Sequence, residues 1–577
     1  MVFLIITAVI ALIILLTIGE NVRSERNIRK FLAASYGRPH DNVEERRERI
    51  ADAANLYLHD VKELPESDIV DDITWNDLEM DEIFVSADHT DSYAGAQYLY
   101  SAMRRLDAAE DELHEHDKRA AFFDKNEEKR LAVRRHIYSI GQVYSGFRLI
   151  DNIDTLGSAH LKFRHVFPLL GLLLLGTVTA AAVTHNPVTA FLGIVVLMAN
   201  MIIHTLTKGM VDVQFQTILN AAAVISASKK IAEEVPGFSK DIKPDIEKMS
   251  GMLRKARYLI FEKNAEVTND MFMNILFFFI NTFMIDLFCY DIVIDDLDRN
   301  AEEFRRIYRF AGSMDYTISL ASYRRYIGDY CIPEFTEKPE MKLKGICHPM
   351  IENAVRNDFV QKRSTIITGS NASGKSTFIK SAAIALIMGQ TLHTCHGESA
   401  VIPRCGVMTS MAVRDDLLSG ESYYIREIKY LRRMVELCES GKTMFLAVDE
   451  ILRGTNTRER IAASKALLEY FSKQNCMVIV ATHDMELAEY FAEKCDNFHF
   501  CEKVEDGDVV FDYKMHEGIS RTSNAIRLLG AMGFPESIVA DAEKYVEYRK
   551  NIKKLICRGA FRAPSKIQEF FCKNLST

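Results

Sequence analysis

The sequence predicts an α/β domain of the P-loop type near the C-terminal end of the chain, preceded by an all-α region that transmembrane helices interrupt. Two observations predict the α/β domain. A β-prone run leads into a glycine-rich loop and a helix at residues 364–388, and two later apolar runs, 444–448 and 477–480, each lead into polar residues. The third observation is a pair of apolar blocks, at residues 2–18 and 166–206, of about the length needed to cross a bilayer.

The composition is that of a folded protein with several domains. The chain has 577 residues, of which 48% are hydrophobic and 26% charged, and its formal net charge is −9. That charge argues against a strongly basic nucleic-acid surface over the whole molecule. The 11 cysteines include no C-x-x-C pair, which indicates reduced thiols rather than a disulfide framework. His393, Cys395 and His396 lie close together, but a zinc site needs about four ligands, so we expect no metal there.

The first apolar block predicts a transmembrane anchor at residues 1–20. It runs from Val2 to Ile18 without a charged residue. A signal peptide would carry basic residues before the block, whereas here they follow it, as Arg23, Arg26, Arg29 and Lys30. The positive-inside rule therefore predicts an outside N-terminus and a cytoplasmic chain from residue 21 onward.

The second apolar block predicts a transmembrane hairpin at residues 161–207. Pro187 and its polar neighbours divide it into two segments near the spanning length, and Lys208 flanks the exit. A buried hairpin of a soluble protein is the alternative, although neither arm carries an ionisable residue before His204 apart from the dividing His185. We therefore expect a multi-pass protein of the inner (plasma) membrane whose main domains face the cytoplasm.

A third apolar stretch, residues 271–290, contains Asp286. A carboxylate inside a membrane helix costs about 2.5–3.5 kcal/mol, which offsets many apolar residues. The stretch is therefore predicted to be a buried helix of a soluble core.

The glycine-rich loop GSNASGKS at residues 369–376 matches G-x-x-x-x-G-K-S between a strand and a helix. In this motif backbone N–H groups and the helix N-terminus bind phosphates. Lys375 is expected to contact the β- and γ-phosphates, and the Ser376 hydroxyl to bind Mg²⁺. The pattern predicts ATP and Mg²⁺ as cofactors. The residues predicted to bind the nucleotide are Gly369, Asn371, Gly374, Lys375, Ser376 and Thr377.

Two later strand ends are expected beside this loop. Residues 444–448 lead into Asp449 and Glu450, and residues 477–480 lead into Thr482 and His483. Carboxyl ends of parallel strands meet at one edge of a sheet. Asp449 is therefore predicted to bind Mg²⁺ with Ser376, Glu450 to act as the general base, and His483 to contact the γ-phosphate.

Seven ordered motifs in residues 340–548 resemble the MutS family of DNA mismatch repair ATPases. They are HP at 348–349, ND at 357–358, GSNASGKST at 369–377, DDLLSGES at 415–422, DEILRGT at 449–455, ATH at 481–483 and GFPESIV at 533–539. The resemblance implies an ABC-type P-loop ATPase preceded by a MutS-like helical core. It also implies a homodimer in which Ser422 reaches the partner's nucleotide.

The sequence departs from the family pattern at three points. Leu452 stands where the family usually has Gly, and Ser370 where it usually has Pro. The F-x-E motif of the mismatch-reading domain occurs here only beside or inside the P-loop domain, as at 335–337 and 491–493. We therefore expect weak DNA binding that does not prefer mismatched over matched duplex. The effector of the ATPase stays open between DNA, another protein and the bilayer.

The patterns divide the chain into six regions. They are an anchor at 1–20, a helical region at 21–160, the hairpin at 161–207, a helical core or lever at 208–340, the P-loop domain at 341–548 and a basic tail at 549–577. The dense alternation of charge at residues 104–135 is typical of a solvated helix face. An ABC-type transporter is one rival function, because Leu418-Ser419-Gly420 echoes its signature, and a membrane scaffold with a degenerate site is another.

Overall fold

The computed structural model describes most of the chain between residues 19 and 557. The described ranges are 19–20, 22–39, 42–158, 160–161, 165–268, 277–278, 281–370, 373–411, 423–505, 508–519, 526, 529–530 and 533–557. Four predicted features lie wholly or mostly outside these ranges: the anchor, Asn371, the 415–422 motif with Ser422, and the tail from residue 558.

The described residues before 328 are mainly helical, beginning with a helical stretch at 22–35. We number the α-helices in chain order. They are α1 Val43–Glu48, α2 Ile50–Ala53, α3 Asn55–Asp60, α4 Asp72–Asp77, α5 Met80–Ala87, α6 Tyr93–Arg104, α7 Glu110–Lys125, α8 Glu127–Tyr138, α9 Tyr144–Phe147, α10 Leu149–Asp154, α11 Val166–Thr184, α12 Pro187–Met210, α13 Asp212–Glu234, α14 Lys243–Thr268, α15 Ile285–Arg299, α16 Ala301–Ile327, α17 Lys375–Thr391, α18 Tyr423–Cys438, α19 Thr457–Phe471, α20 Met485–Tyr490 and α21 Glu536–Cys557.

The strands lie in the C-terminal part of the chain, as predicted. They are β1 Glu334–Thr336, β2 Met341–Ile346, β3 Asn357–Gln361, β4 Thr365–Thr368, β5 Ser399–Pro403, β6 Gly406–Ser410, β7 Met444–Asp449, β8 Cys476–Thr482, β9 Asp496–His499, β10 Glu502–Glu505, β11 Asp508–Phe511 and β12 His516–Glu517. A six-stranded sheet has the order β12-β9-β4-β8-β7-β6. All its neighbours are parallel except β12 with β9.

This sheet confirms the predicted C-terminal α/β fold and explains its sequence pattern. Strands β4 and β7 are buried at every position, because helices cover both faces of a parallel sheet. Strand β8 lies between the strand before the glycine-rich loop and the strand that ends in Asp449. The carboxyl ends of β4, β7 and β8 therefore open at one edge. A second sheet, in the order β1-β5-β2-β3, lies in the same region.

The second apolar block forms two antiparallel helices, α11 and α12. Asn186 caps α12 by accepting the Val188 N–H, and Pro187 occupies its first position, where proline needs no hydrogen bond of its own. The helices have mean hydropathies of 2.2 and 2.0 in their most apolar windows, which are 22% and 11% buried. By length and composition these two helices could cross a membrane.

The predicted buried helix at residues 271–290 holds only in part among the described residues: Asp286, Leu287 and Tyr290 are helical and fully buried, but the helix is interrupted before them. Residues 282–284 form a turn, Met284 has a positive φ of 60°, and α15 begins only at Ile285. Ile285 and Phe288 are 40% and 46% exposed. The stretch is therefore interrupted, and one side of it is exposed.

The helical region is joined to the six-stranded sheet by α4. The Asp77 carboxylate is buried and accepts hydrogen bonds from Thr409 Oγ1 at 2.7 Å and Met411 N at 2.9 Å, at the end of β6. Asp71, which caps α4, pairs with Arg433 of α18 at 2.5 Å. Helix α4 thus holds the described residues on both sides of the 412–422 segment.

A second junction lies at the C-terminal end of α17, the helix that follows the glycine-rich loop. The Arg324 guanidinium of α16 donates to Leu392 O at 3.1 Å and to His393 O at 2.9 Å. It also pairs with Asp117 of α7 at 2.6 Å. A cation at this end of a helix satisfies unpaired carbonyls and complements the helix dipole. The loop helix is thereby fixed to the helical region.

Candidate nucleotide-binding site

The glycine-rich loop has the backbone geometry that only glycine adopts without strain at two positions. Gly369 and Gly374 have φ values of +139° and +105°. A Cβ on Gly369 would lie 2.5 Å from the Phe500 carbonyl oxygen, so close packing also excludes a side chain there. Ser370, which stands where the family usually has proline, forms a local hydrogen bond: its hydroxyl donates to Glu502 Oε2 at 2.6 Å. The loop is therefore held against the strand that follows β9.

Lys375 is buried beneath this loop. Its Nζ donates to the carbonyl oxygens of Gly369 at 2.5 Å and Ser370 at 2.7 Å. Burial lowers the pKa of Lys375 to about 8, against the attraction of the Asp449 and Glu450 carboxylates. The ammonium thus lies at the loop, where an anionic ligand would stabilise its charged form.

The geometry at Ser376 fits a magnesium ion. Its hydroxyl donates to Asp449 Oδ2 at 2.7 Å, so the two predicted Mg²⁺ ligands do come together. Asp449 Oδ1 is buried and has no hydrogen-bond partner among the described residues. A hydroxyl and a carboxylate are the hard oxygen ligands that Mg²⁺ takes beside nucleotide phosphates, and the unsatisfied oxygen leaves a position for it.

Glu450 lies at the end of β7 between two cationic or polar partners. Its Oε1 is 2.8 Å from His483 Nε2, at the end of β8, and its Oε2 is 2.9 Å from Arg453 Nε. The hydrogen bond from His483 holds the pKa of Glu450 below its ordinary value. Glu450 is therefore ionised at neutral pH and can accept a proton. Arg453 also lies 3.2 Å from Asp449 Oδ2, so one guanidinium neutralises both carboxylates.

The turn after β7 is conformationally strained. Glu450 and Leu452 both have positive φ, 62° and 56°, which costs a non-glycine residue about 1–2 kcal/mol. Leu452 is the residue that replaces the family's usual glycine. Its side chain is 7% exposed and packs in a hydrophobic cluster beside the sheet, and burying a leucine gains about 1.5–3 kcal/mol. Burial therefore offsets the strain that the substitution introduces.

Glu427 is a site residue that the sequence did not predict. It lies in the second turn of α18 and is 2% exposed. Its carboxylate accepts the Arg453 N–H at 3.0 Å and interacts with the backbone N–H groups of Leu452 and Gly454. Burial raises the pKa of Glu427, whereas these N–H groups favour its charged form. Glu427 thus fixes the strained turn that carries Arg453.

A cavity of about 450 Å³ adjoins the loop on the side of Gly374 and Thr377. It is lined by the rings of His348, Phe378, Phe500 and Tyr513, together with smaller residues and with Ile346, Ile351 and Glu352. Flat apolar rings beside a phosphate-binding loop can stack on a nucleobase. Of these rings only His348 belonged to a motif singled out in the sequence, and the others come from distant segments.

The structure brings Gly369, Gly374, Lys375, Ser376, Asp449, Glu450 and His483 together at one edge of the sheet. Thr377 is exposed beside the cavity. His393, by contrast, lies at the far end of α17, where Nδ1 is 2.5 Å from Asp117 Oδ2, and His396 contacts the Tyr323 hydroxyl. The predictions for Asn371 and Ser422 fall outside the described residues.

The sheet order, the loop and the strand-end carboxylates define a P-loop nucleotide-binding domain. Residues 365–549 match the family model of MutS domain V. The DNA mismatch repair protein MutS of Thermotoga maritima is 30% identical over 275 residues, which cover 45% of this chain and 34% of that protein. Residues 365–549 of this chain therefore form a domain of the MutS domain V family.

Other relatives match the same share of the chain. The DNA mismatch repair protein MSH3 of Phaeosphaeria nodorum is 29% identical over 267 residues, covering 44% of this chain and 24% of that protein. MutS of Thermus thermophilus is 27% identical over 249 residues, covering 42% and 30%. The match thus spans about a third or less of these relatives' length.

The pKa of Lys375 predicts how ATP affinity changes with pH. Phosphates stabilise the charged amine, so binding requires a proton whenever the free protein has lost it. For a group with a pKa of about 8, the protonated fraction falls about tenfold between pH 7 and pH 9. The Kd for ATP, measured by calorimetry, should rise by about that factor.

Lys375→Arg provides the control, because an arginine stays charged over this range. Its Kd, whatever its absolute value, should change little between pH 7 and pH 9. An equally flat profile for the wild-type protein would contradict the assignment of Lys375 to the phosphates.

Proposed function

We propose that this chain is a Mg²⁺-dependent ATP hydrolase of the MutS type, tethered to the inner face of a membrane and working as an ATP-driven conformational switch. The observation that carries the enzymatic part is the convergence of Lys375, Ser376, Asp449, Glu450 and His483 at one sheet edge. The family's members are related ATPases, which supports the same activity here.

In the proposed reaction, a water oxygen attacks the γ-phosphorus of ATP, and the bond between that phosphorus and the β–γ bridging oxygen breaks. Glu450 accepts the water proton, and ADP and phosphate leave. Lys375 stabilises the charge on the β- and γ-phosphates, and His483 holds Glu450 in place. Bound Mg²⁺, held by Ser376 and Asp449, would neutralise the phosphate oxygens.

The switch is supported by the two junctions between the sheet and the helical region. Arg324 of α16 binds the C-terminal end of α17, whose N-terminal end carries Lys375. Asp77 of α4 binds the end of β6 just before the 412–422 segment. A nucleotide that moved α17 or the end of β6 would therefore act on helices of the other region through these buried contacts.

The membrane tether is supported by the exposed apolar faces of α11 and α12. We infer that the turn at Asn186 faces outside and the other regions face the cytoplasm. A membrane-impermeant maleimide applied to intact cells should label Asn186→Cys. It should not label Lys118→Cys, whose parent lysine side chain is 71% exposed on α7.

The wild-type protein is the matched control for this labelling, because its own cysteines follow the hairpin in the sequence, from Cys289 onward. They should stay unlabelled until the cells are permeabilised. Labelling of Lys118→Cys in intact cells, or none at Asn186→Cys, would overturn the proposed topology.

We further propose a homodimer in which Ser422 of each subunit completes the partner's site. Lys375→Ala and Ser422→Ala should each be inactive alone. The first variant lacks the lysine that each subunit gives to its own site, and the second lacks the serine that each subunit gives to its partner's site. A mixed dimer would combine both lesions in one site and leave the other intact. Mixing should therefore restore part of the ATPase rate.

Each single variant must still dimerise in size-exclusion chromatography for this comparison to hold. A mixture as inactive as its dimeric components would show that Ser422 serves its own subunit.

DNA is the proposed macromolecular partner because the relatives named above are DNA mismatch repair proteins. The chain matches about a third or less of these relatives' length. We therefore propose weak, salt-dependent DNA binding through phosphate contacts rather than mismatch selection.

A further inference from the structure

A short segment beside the hairpin, residues 281–288, combines a broken backbone with an exposed apolar side. Ile285 and Phe288 lie three residues apart on one helix face and are 40% and 46% exposed. Just before them, the turn at 282–284 buries Met284, which is 1% exposed. The segment thus presents large apolar side chains outward while its turn faces inward.

The turn is held directly by the two apolar helices. Asn200 of α12 donates from Nδ2 to Thr282 O at 3.0 Å and to Leu170 O of α11 at 3.2 Å. A Cβ on Gly171 would lie 2.6 Å from Phe283 O, so glycine permits this close approach. Irregular backbone at membrane depth needs partners of this kind, because lipid offers no hydrogen bonds.

The one carboxylate in the segment is also paired. Asp286 is fully buried, and its Oδ2 lies 2.7 Å from His204 Nε2 of α12. His204 and Asp286 lie four positions after Asn200 and Thr282, respectively. An ionisable residue in a membrane region pairs with another group or faces protein, so Asp286, which argued against a crossing, is compatible with a location at the membrane boundary.

The depth of the contact follows from helix geometry. Gly171 lies five residues into α11, which is roughly 7.5 Å at 1.5 Å per residue. The hydrocarbon core is about 30 Å thick, so the turn reaches the inner half of the hairpin's span. The other side of the segment contacts the soluble helices, where Tyr258 of α14 donates to Asn281 Oδ1 at 2.7 Å.

We propose that residues 281–288 form a third membrane element, which enters the inner leaflet beside the hairpin without crossing the bilayer, and that Ile285 and Phe288 contact lipid acyl chains. The proposal rests on the membrane tether proposed above. It explains why apolar side chains are exposed next to buried polar groups: lipid covers the apolar side chains, and the hairpin provides contacts to Thr282 O and Asp286 Oδ2.

Tryptophan quenching by brominated lipids tests this in the full chain, because the sequence has only one tryptophan. In a Trp75→Phe background, the intact protein is reconstituted into phosphatidylcholine vesicles that carry bromine either near the headgroup or near the acyl-chain end. Phe288→Trp is the test variant. Leu175→Trp, in the middle of α11, is the deep reference, and Leu58→Trp, exposed on α3, is the aqueous control.

We expect emission from Trp at 288 to be lost mainly to bromine near the headgroup, from 175 mainly to bromine near the chain end, and from 58 to neither. Quenching at 175 but not at 288 would overturn the third element and leave the tether intact. No quenching at 175 would overturn both. Ile285→Trp, expected to behave as 288, replaces the test variant if Phe288→Trp does not fold.

A second variant tests the contact that places the segment. Asn200→Leu keeps α12 apolar but removes the donor to Thr282 O. It should reduce headgroup quenching at 288 while leaving quenching at 175 unchanged. Unchanged quenching at both positions would show that Asn200 does not hold the segment.

Discussion

Glu450→Gln is expected to slow ATP hydrolysis by about 10²–10⁴-fold, the usual loss when a general base is removed. The amide keeps the shape of Glu450 and can still contact His483, whose Nε2 is 2.8 Å from the carboxylate. It cannot accept the proton of the attacking water. ATP affinity should change little, because Lys375 and Ser376 are untouched. Phosphate release and equilibrium ATP binding, measured on the same preparation, check both parts.

Glu459→Gln is the matched control, since Glu459 is an acidic residue in the first turn of the nearby α19 and outside the proposed machinery. It should hydrolyse ATP at the wild-type rate. A wild-type rate for Glu450→Gln would remove Glu450 from the mechanism, and lost ATP binding would assign it to the nucleotide rather than to the water.

Glu427→Ala should lower the ATPase rate by about tenfold or more while ATP still binds. The substitution leaves the buried N–H of Arg453 without its acceptor, 3.0 Å away in the structure, and such a loss costs about 1–3 kcal/mol. Because Glu450 and Leu452 already have positive φ, the turn should relax and displace Arg453 from the two carboxylates. Measuring both the rate constant of hydrolysis and the Kd for ATP distinguishes a displaced Arg453 from a loss of ATP binding.

Glu427→Gln should retain more activity than Glu427→Ala, because its carbonyl oxygen can still accept one N–H. Glu436→Ala, on the same helix and 59% exposed at its side chain, should match the wild-type protein in rate and in melting temperature. If Glu427→Ala melts normally and hydrolyses ATP at the wild-type rate, Glu427 does not position the turn.

The elements of the site that were predictable are those encoded by short, local patterns. The loop at 369–376 requires glycine for its backbone and lysine for its charge. Strands β7 and β8 are apolar up to their last residues, Asp449 and Thr482, because both sheet faces are covered. The contacts of Glu427 depend on a turn 25 or more positions away in the chain. Its position on α18 is typical of any solvated helix, so no local pattern marked it.

The same limit applies to two predictions in the helical region that hold only in part. The alternating charges at 104–135 predict a solvated face, and Glu110, Asp111, Glu127 and Glu128 are exposed. The side chains of Arg104, Arg130 and Arg134, however, are buried. Arg134 forms a buried pair with Asp91 at 2.7 Å, a partner 43 positions earlier. For the 271–290 stretch, the prediction depends largely on the insertion cost of an unpaired Asp286. Its partner His204 lies 82 positions earlier, and pairing changes that cost.

A single residue, Val211, separates α12 from α13. Helix α12 carries the apolar surface, whereas α13 packs in the core against α16. In a bilayer, α12 would change its tilt to match the hydrocarbon thickness, and so short a link would pass that change to the core. The thickness of the bilayer and the binding of ATP would then be thermodynamically coupled, and such coupling is reciprocal. If a thicker membrane changed the affinity for ATP, the binding of ATP would in turn change the local thickness of the membrane.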